Sequence, residues 1–322
     1  MSEDVLRDGY DPSNLDQPSM SVVEFKDVVK KFGAKTVLDG VSFSIKPGSV
    51  FALLGENGAG KTTTIRMILG ETAPTSGRVR VFEQEPFKRP KEVRERIGFI
   101  PEVPTLYDYM TVEEIGKFAA AFNSAGYLQK YAALCEELEL DPRIRIKALS
   151  KGMKAKTSLA LELARDPDLL ALDEPTSGLD ALVRRQILSH IAELGARGKT
   201  ILLSSHQTAE VERVADQVAF LKDGKFILTD SVENLRRTTR VVDATISGEV
   251  ADPGVFDSLF ASIFDGEYVG RERYGLRYRI LGRDLSPNFE ERLRATLGDR
   301  LLGTETSIPS LEDVFVAYMR KR

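Results

Sequence analysis

The sequence predicts an α/β protein: a mainly parallel sheet with helices on both faces, an antiparallel β edge and a helical insertion, then a small C-terminal α/β domain. Three observations carry that prediction. Short β-branched runs alternate with longer helical patterns from residue 21 to about 230, the texture of buried parallel strands joined by helices. One apolar run, Val50-Phe51-Ala52-Leu53-Leu54, leads straight into a glycine-rich turn that opens a helical pattern. Past residue 235 a charged seam introduces a second, smaller α/β pattern.

Taken in order, strands are expected at 22–25, 41–45, 50–54, 78–81, 97–100, 169–172, 200–204, 217–221 and 225–228. Helices are expected at 61–69, 112–121, 127–138, 151–164, 181–194 and 209–214, from the spacing of their apolar residues. The stretch 111–149 has no strand patterning and reads as a helical insertion. A helical subdomain at about 105–160 is therefore expected inside a domain spanning 21–235. Asp223-Gly224 marks a hairpin turn between two short strands, because both residue types tolerate the left-handed backbone of such turns.

The seam Arg236-Arg237-Thr238-Thr239-Arg240 opens the second domain, 240–322. There the patterns give strand 241–247, helix 254–264, strands 267–272 and 276–281, helix 288–297, strand 300–305 and helix 311–320. That order suits a split βαβ sheet. Ser310, with Asp313 three residues on, has the spacing of a capping box for the last helix.

Composition narrows the class. With 322 residues, 42% hydrophobic and 29% charged, the chain can bury a full core, and chain-wide disorder or a disulfide-stapled scaffold is excluded. Residues 1–20 hold five acids against Arg7, the whole formal charge of −4, and read as a disordered acidic tail. The remainder balances to zero, which argues against nucleic acid as a partner. No apolar run approaches the roughly 20 residues of a spanning helix. No secretory leader is expected, and the single Cys135 suits a reducing cytosol.

The strongest local signal is Gly55-Glu56-Asn57-Gly58-Ala59-Gly60-Lys61-Thr62-Thr63. It fits G-x-x-x-x-G-K-[ST] between an apolar strand and a helix, the context that a phosphate loop requires. Glycines let successive N–H groups converge on phosphate oxygens, and the helix start aims its positive end at the same anion. Lys61 supplies a charge to the β- and γ-phosphates, and the Thr62 hydroxyl can ligate Mg2+. The run Asp168-Leu169-Leu170-Ala171-Leu172-Asp173-Glu174-Pro175 ends an apolar strand in two carboxylates. Asp173 is placed to hold Mg2+, and Glu174 to accept a proton from attacking water.

With these residues in hand, the stretch from 21 to about 230 resembles the ATP-binding cassette (ABC) transporter ATPases, a P-loop NTPase cassette. The resemblance implies that Phe32 stacks on adenine, where the family usually has Tyr. It implies that Glu102, in Ile100-Pro101-Glu102, stands where most members have Gln, within reach of the metal and the lytic water. Leu149-Ser150-Lys151-Gly152-Met153 matches the signature LSGGQ, with Lys151 and Met153 as departures, so Ser150 and Gly152 are implied to touch the nucleotide. Asp180, in Ser177-Gly178-Leu179-Asp180, matches the segment that crosses the dimer interface. His206 matches the switch histidine that contacts the γ-phosphate. Ser150 lies 23 residues before Asp173 and His206 lies 33 after it, and that order is specific to cassettes.

The resemblance further implies ATP and Mg2+ as ligands and two cassettes, as a homodimer or a paired cassette, closing on two ATP molecules. It implies a separate membrane permease that docks on the helical insertion, and a location at the inner face of the cell membrane. The signature, Pro101-Glu102 and the ending Pro309-Ser310-Leu311-Glu312-Asp313-Val314-Phe315 resemble export-type members. The residues leave open a soluble ATPase of this family acting on ribosomes or DNA, and a slow regulatory nucleotide-binding module. His190 reads as a surface residue, Cys135 as packing, and Phe315 and Tyr318 as core or dimer contacts. The alternating Arg271, Arg273, Arg277 and Arg279 read as the solvated face of a hairpin.

Overall fold

The computed structural model describes residues 21–247, 260, 263, 267–274 and 276–320. The acidic tail 1–20 and most of the helix expected at 254–264 lie outside them. The chain divides into two compact units, Met1–Phe226 and Ile227–Arg322.

The first unit contains strands β5, β6, β7, β3 and β8, and the start of β9, of a six-stranded sheet in the order β5-β6-β7-β3-β8-β9. Its strands are β3 (Val50–Gly55), β5 (Ile97–Ile100), β6 (Leu169–Asp173), β7 (Thr200–Ser205), β8 (Gln217–Lys222) and β9 (Lys225–Ser231). From β5 to β8 every neighbouring pair is parallel. Strands β3, β6 and β7 are buried along their whole length, which explains their unbroken apolar sequence: both faces are covered. The turn from β8 to β9 has Asp223 at φ 48° and Gly224 at φ 77°, the two left-handed residues of a tight hairpin.

An antiparallel sheet, β2-β1-β4, forms the second layer, from β1 (Val23–Phe32), β2 (Lys35–Ile45) and β4 (Ser76–Val81). Phe43 stacks on Phe25 at 4.6 Å and on Phe51 of β3 at 5.2 Å, so one aromatic column joins this sheet to the parallel one. Both hairpin strands run well beyond the expected 22–25 and 41–45. The charges of Lys30, Lys31 and Lys35 interrupt the apolar alternation, but the hairpin end projects into solvent, where charged residues cost nothing. Phe32 is thereby carried to the tip, paired with Lys35.

The helices are α1 (Lys61–Ile68), α2 (Pro90–Glu95), α3 (Val112–Ala120), α4 (Tyr127–Glu137), α5 (Lys151–Leu163), α6 (Ala181–Ala196) and α7 (Thr208–Val214). The insertion contains α3 and α4, with no strand between them. A full capping box starts α3: Thr111 Oγ1 accepts from Glu114 N at 3.1 Å and Glu114 Oε2 accepts from Thr111 N at 2.8 Å. Tyr131 of α4 lies across Gly116 of α3, where a Cβ would come within 2.1 Å of the ring, and donates its hydroxyl to Val112 O at 2.8 Å. Helix α2 escapes the periodicity because six residues are under two turns.

The second unit holds a four-stranded sheet in the order β11-β12-β10-β13, antiparallel throughout. Its strands are β10 (Thr239–Ile246), β11 (Glu267–Tyr274), β12 (Arg277–Arg283) and β13 (Leu301–Ser307). Numbered within the unit the order is 2-3-1-4, the strand arrangement of a split βαβ sheet. Helix α8 (Val232–Thr238) precedes it, another short helix absent from the sequence reading; α9 (Phe289–Leu297) joins β12 to β13, and α10 (Leu311–Arg320) follows. Val242, Ala244, Ile246, Ile280, Leu293 and Phe260 belong to its core. The arginines of the hairpin do not form a free basic face. Arg277 and Arg279 pair with Asp243 at 3.1 and 3.7 Å, and Arg279 also with Asp313 at 3.4 Å. Tyr318 is buried and donates to Glu267 Oε2 at 2.9 Å; burial first, and then the Glu267 carboxylate, push its hydroxyl up to about 12. Among the described residues no helix is long and apolar enough to cross a membrane.

Candidate active site

The site starts where β3 runs out. Gly55 ends the strand with its Cα facing the β8 backbone, where a Cβ would meet Leu221 O at 2.5 Å. Gly60 stands at φ 118° and a Cβ there would strike Leu38 at 2.6 Å, so both positions exclude a side chain. Between them Glu56, Asn57 and Gly58 form an exposed crest over buried Ala59. Lys61 turns back under the crest and donates to Gly55 O at 2.7 Å and Glu56 O at 3.3 Å. Thr62 and Thr63 occupy the first turn of α1, with Thr62 exposed. Loop and helix start together present N–H groups suited to an anion.

Two neighbouring strands complete the constellation. Asp173 ends β6, and its Oδ1 accepts from Ser204 Oγ of β7 at 2.6 Å. Glu174 follows at φ 50°, a left-handed conformation that carries strain in a non-glycine residue. Its N–H donates to Ser204 Oγ at 3.0 Å and Ser204 O at 3.2 Å, and these bonds hold the strained backbone. The carboxylate is buried with both oxygens engaged: Oε1 lies 3.0 Å from Lys61 Nζ and Oε2 lies 2.8 Å from His206 Nδ1. Lys61, Glu174 and His206 thus meet from β3, β6 and β7 at the carboxyl ends of adjacent parallel strands, the usual ligand side of such sheets.

The remaining residues are placed more locally. Phe32 is 53% exposed at the hairpin tip with Lys30 Nζ 4.6 Å above its ring. Glu102 follows β5, and its Oε1 accepts from Ser177 Oγ at 3.0 Å. Ser150 caps α5, accepting from Met153 N at 3.2 Å. Asp180 caps α6, accepting from Leu182 N at 3.1 Å and Val183 N at 3.0 Å. Gly152 is buried against α6, where a Cβ would come within 2.5 Å of Val183. So within one chain Ser150, Asp180 and Gly152 serve their own helices, and their contacts do not run to the Lys61–Glu174–His206 group. For a metal, Thr62, Asp173 and Glu102 offer oxygen donors only.

Sequence reasoning missed Ser204, which fastens the Asp173-Glu174 turn, and Glu210, an acid buried beneath it. A hydroxyl at a strand end and an acid in the first turn of a helix are too common to stand out. His190 is not a free surface residue either; it is partly buried, with Nδ1 3.9 Å from Glu137 Oε1. Cys135 is buried as expected of packing, and burial raises its thiol.

Beside Glu102 an aromatic groove of about 540 Å3 opens between the segment after β5 and the helices α3 and α5, lined by Pro101, Tyr107, Phe118, Phe122 and Glu162 among others. Phe118 meets Tyr107 and Phe122 edge-on at 5.4 and 5.3 Å, yet Phe122 is 76% exposed.

Residues 38–177 match the family model described as ABC transporter. The chain is 34% identical over 313 residues to Nod factor export ATP-binding protein I of Rhizobium etli, covering 92% of this chain and 93% of that one. A solved structure described as the ATP-binding subunit of an ABC transporter superposes with a TM-score of 0.61 at 33% identity, over 67% of this chain and 92% of that one. The dimeric ATP-binding cassette MJ0796 in a post-hydrolysis state, bound to ADP and Pi, gives 0.59 at 25% identity, over 65% and 98%. Matched across nearly its whole length and sharing the fold that brings the phosphate loop to the strand-end carboxylates, the chain belongs to the ATP-binding subunits of the ABC transporter family.

Proposed function

We propose that this subunit binds ATP with Mg2+ at the Lys61–Glu174–His206 group and hydrolyses it. Two copies, or this chain and a paired cassette, close on two ATP molecules and drive a separate membrane permease, in the direction of export. The subunit then works from the cytoplasmic face of the membrane. The observation that carries hydrolysis is the Glu174 carboxylate held between an ammonium and an imidazole, 3.0 and 2.8 Å away.

The crest at Glu56, Asn57 and Gly58, with the first turn of α1, receives the phosphates, and Phe32 offers its exposed face to adenine. Thr62, Asp173 and Glu102 suit Mg2+, a hard ion that takes oxygen ligands. Bound there, the ion neutralises charge on the phosphate oxygens. Those oxygens draw Lys61 away from Glu174, which leaves Oε1 to accept a proton from the attacking water while His206 orients the carboxylate from Oε2. Ser150, exposed at the start of α5, and Asp180, exposed at the start of α6, face outward for a second copy to complete the site. The aromatic groove beside Glu102 supports a permease segment as the docking partner, because exposed aromatic walls gain from being covered. Export is supported by the Rhizobium etli relative, whose name is that of a Nod factor export ATP-binding protein.

A pull-down of Glu174→Gln from gently solubilised native membranes with Mg-ATP tests the whole reading. Recovery of a polytopic permease in near-equal amounts is expected. Recovery of ribosomes or DNA-bound proteins in its place overturns the transport role.

A further inference from the structure

Glu210 is a buried carboxylate that hydrolysis, as derived above, does not use. It lies on α7 and is 4% exposed. Its Oε2 accepts from Thr176 Oγ1 at 2.6 Å and from Ser205 Oγ at 3.3 Å. Its Oε1 lies 3.4 Å from Arg184 Nε on α6. Arg184 in turn donates from Nη1 to Gln207 Oε1 and from Nη2 to Leu179 O, both at 3.0 Å.

These attachments fall on two short segments. Thr176 and Leu179 follow Glu174; Ser205 and Gln207 flank His206. The Arg184 side chain is 34% exposed and meets Glu210 as an ion pair without a hydrogen bond between Nε and Oε1, so the hold of the network rests on its hydrogen bonds to Thr176, Ser205, Gln207 and Leu179; bonds that span two segments fix their relative position. The β6–β7 pairing and the Glu174 N–H bonds to Ser204 bring the two backbones together at the strand ends, and beyond that point the network adds a second tie between the two segments. The His206 side chain is 42% exposed, and Glu174 sits on a left-handed backbone, so their 2.8 Å contact depends on the spacing of the two backbone segments.

We propose that Glu210 and Arg184 are positioning residues that hold the segment after Glu174 against the segment carrying His206, and so set the Glu174–His206 geometry. Neither touches a nucleotide. The inference deepens the hydrolytic reading and rests on it for its kinetic consequence, but its structural consequence can be read without nucleotide.

The test uses the full chain. Glu210→Gln keeps the shape and an acceptor oxygen but removes the charge facing Arg184. Thr176→Val removes one hydrogen bond at constant volume, and Thr176→Ser restores it. Steady-state Mg-ATP hydrolysis is measured well below the melting temperature, together with 15N spectra of the histidine rings. The sequence has only two histidines, so a His190→Gln variant identifies the signals of His206. A kcat lower by about 10- to 100-fold is expected for Glu210→Gln and Thr176→Val, with KM for ATP within about twofold, displaced His206 ring signals, and most of the turnover recovered in Thr176→Ser. Unchanged His206 signals and unchanged kcat in both variants overturn the proposal, as does a loss that appears only as a lower melting temperature. If the unaltered chain hydrolyses no ATP, the hydrolytic reading fails by itself, and the His206 signals alone then decide the positioning role: unmoved signals overturn it.

Discussion

Nδ1 of His206 lies 2.8 Å from Oε2 of Glu174, although the two residues are 32 positions apart in the chain. The contact exists because β6 and β7 are parallel neighbours with Asp173 level with Ser204, so the residues just past each strand end emerge side by side. Lys61 reaches the other oxygen of the same carboxylate at 3.0 Å. The site's predictions turn on that shared carboxylate.

Replacing Glu174 by Gln removes the proton acceptor and keeps the side chain's size. Turnover of Mg-ATP is expected to fall by about 10²- to 10⁴-fold, with nucleotide affinity retained and an ATP-dependent dimer accumulating on size-exclusion chromatography. Hydrolysis at the unaltered rate would remove Glu174 from the role of base.

Lys61→Ala strips a buried carboxylate of its cation. Without nucleotide the variant is expected to lose about 3–5 kcal/mol of stability, and to show no nucleotide-induced dimer. Because the loss comes from the orphaned charge, Lys61→Ala/Glu174→Gln should regain much of it. Urea unfolding of the four proteins gives the coupling directly; strictly additive losses would show that the pair is not electrostatically linked.

Phe32 is exposed at a hairpin tip, so its truncation leaves the core untouched. Phe32→Ala should weaken ATP binding by about tenfold, the equivalent of a lost aromatic stack of roughly 1.4 kcal/mol, and leave the melting temperature in place. Calorimetric titration with ATP and a thermal scan separate the two; equal affinity would take the ring out of the nucleotide site.

Glu162 carries a pH signature. Burial raises its carboxyl above the ordinary 4.5, and Arg165 at 2.8 Å with the Phe99 N–H only partly offsets that. A raised carboxyl holds its proton more tightly in the fold than in the unfolded chain. Stability therefore falls as pH climbs from the unfolded value to the folded one, and the loss is complete above the folded value. Glu162→Gln lacks that titration, so its stability relative to the unaltered chain should rise as pH climbs from the ordinary glutamate value through the raised folded value. Denaturant midpoints across that range check it, and a difference that shrinks with pH would mean that Arg165 dominates.

Gly116→Ala reverses the ordinary helix rule. Alanine favours a helix over glycine by about 1 kcal/mol, but here the new Cβ would lie 2.1 Å from the Tyr131 ring. Overpacking of that kind costs about 1–3 kcal/mol. A lower melting temperature is expected, and a higher one would show that α3 and α4 can move apart freely.

What the sequence determined by itself was local. Glycines, a lysine and hydroxyls in one nine-residue run encode the phosphate loop, because its chemistry needs contiguous backbone N–H groups, and Asp173 and Glu174 are legible because an apolar strand stops at them. The parallel sheet was legible for a similar reason: strands covered on both faces leave unbroken apolar runs. Tertiary structure alone decided the contacts between elements. The 3.0 Å approach of Lys61 to Glu174, the grip of Ser204 on Asp173 and the Glu210–Arg184 network join residues from different strands and helices, and nothing in their spacing encodes a distance. It also decided two matters that patterning left short. The β1–β2 hairpin extends through charged residues because its end stands in solvent, and Arg277 and Arg279 of β12, though they stay on a solvated face, meet Asp243 and Asp313, which arrive from elsewhere in the chain. Period and composition record which face of an element is buried; which partner covers that face, and which charge meets it, is fixed only when the elements pack.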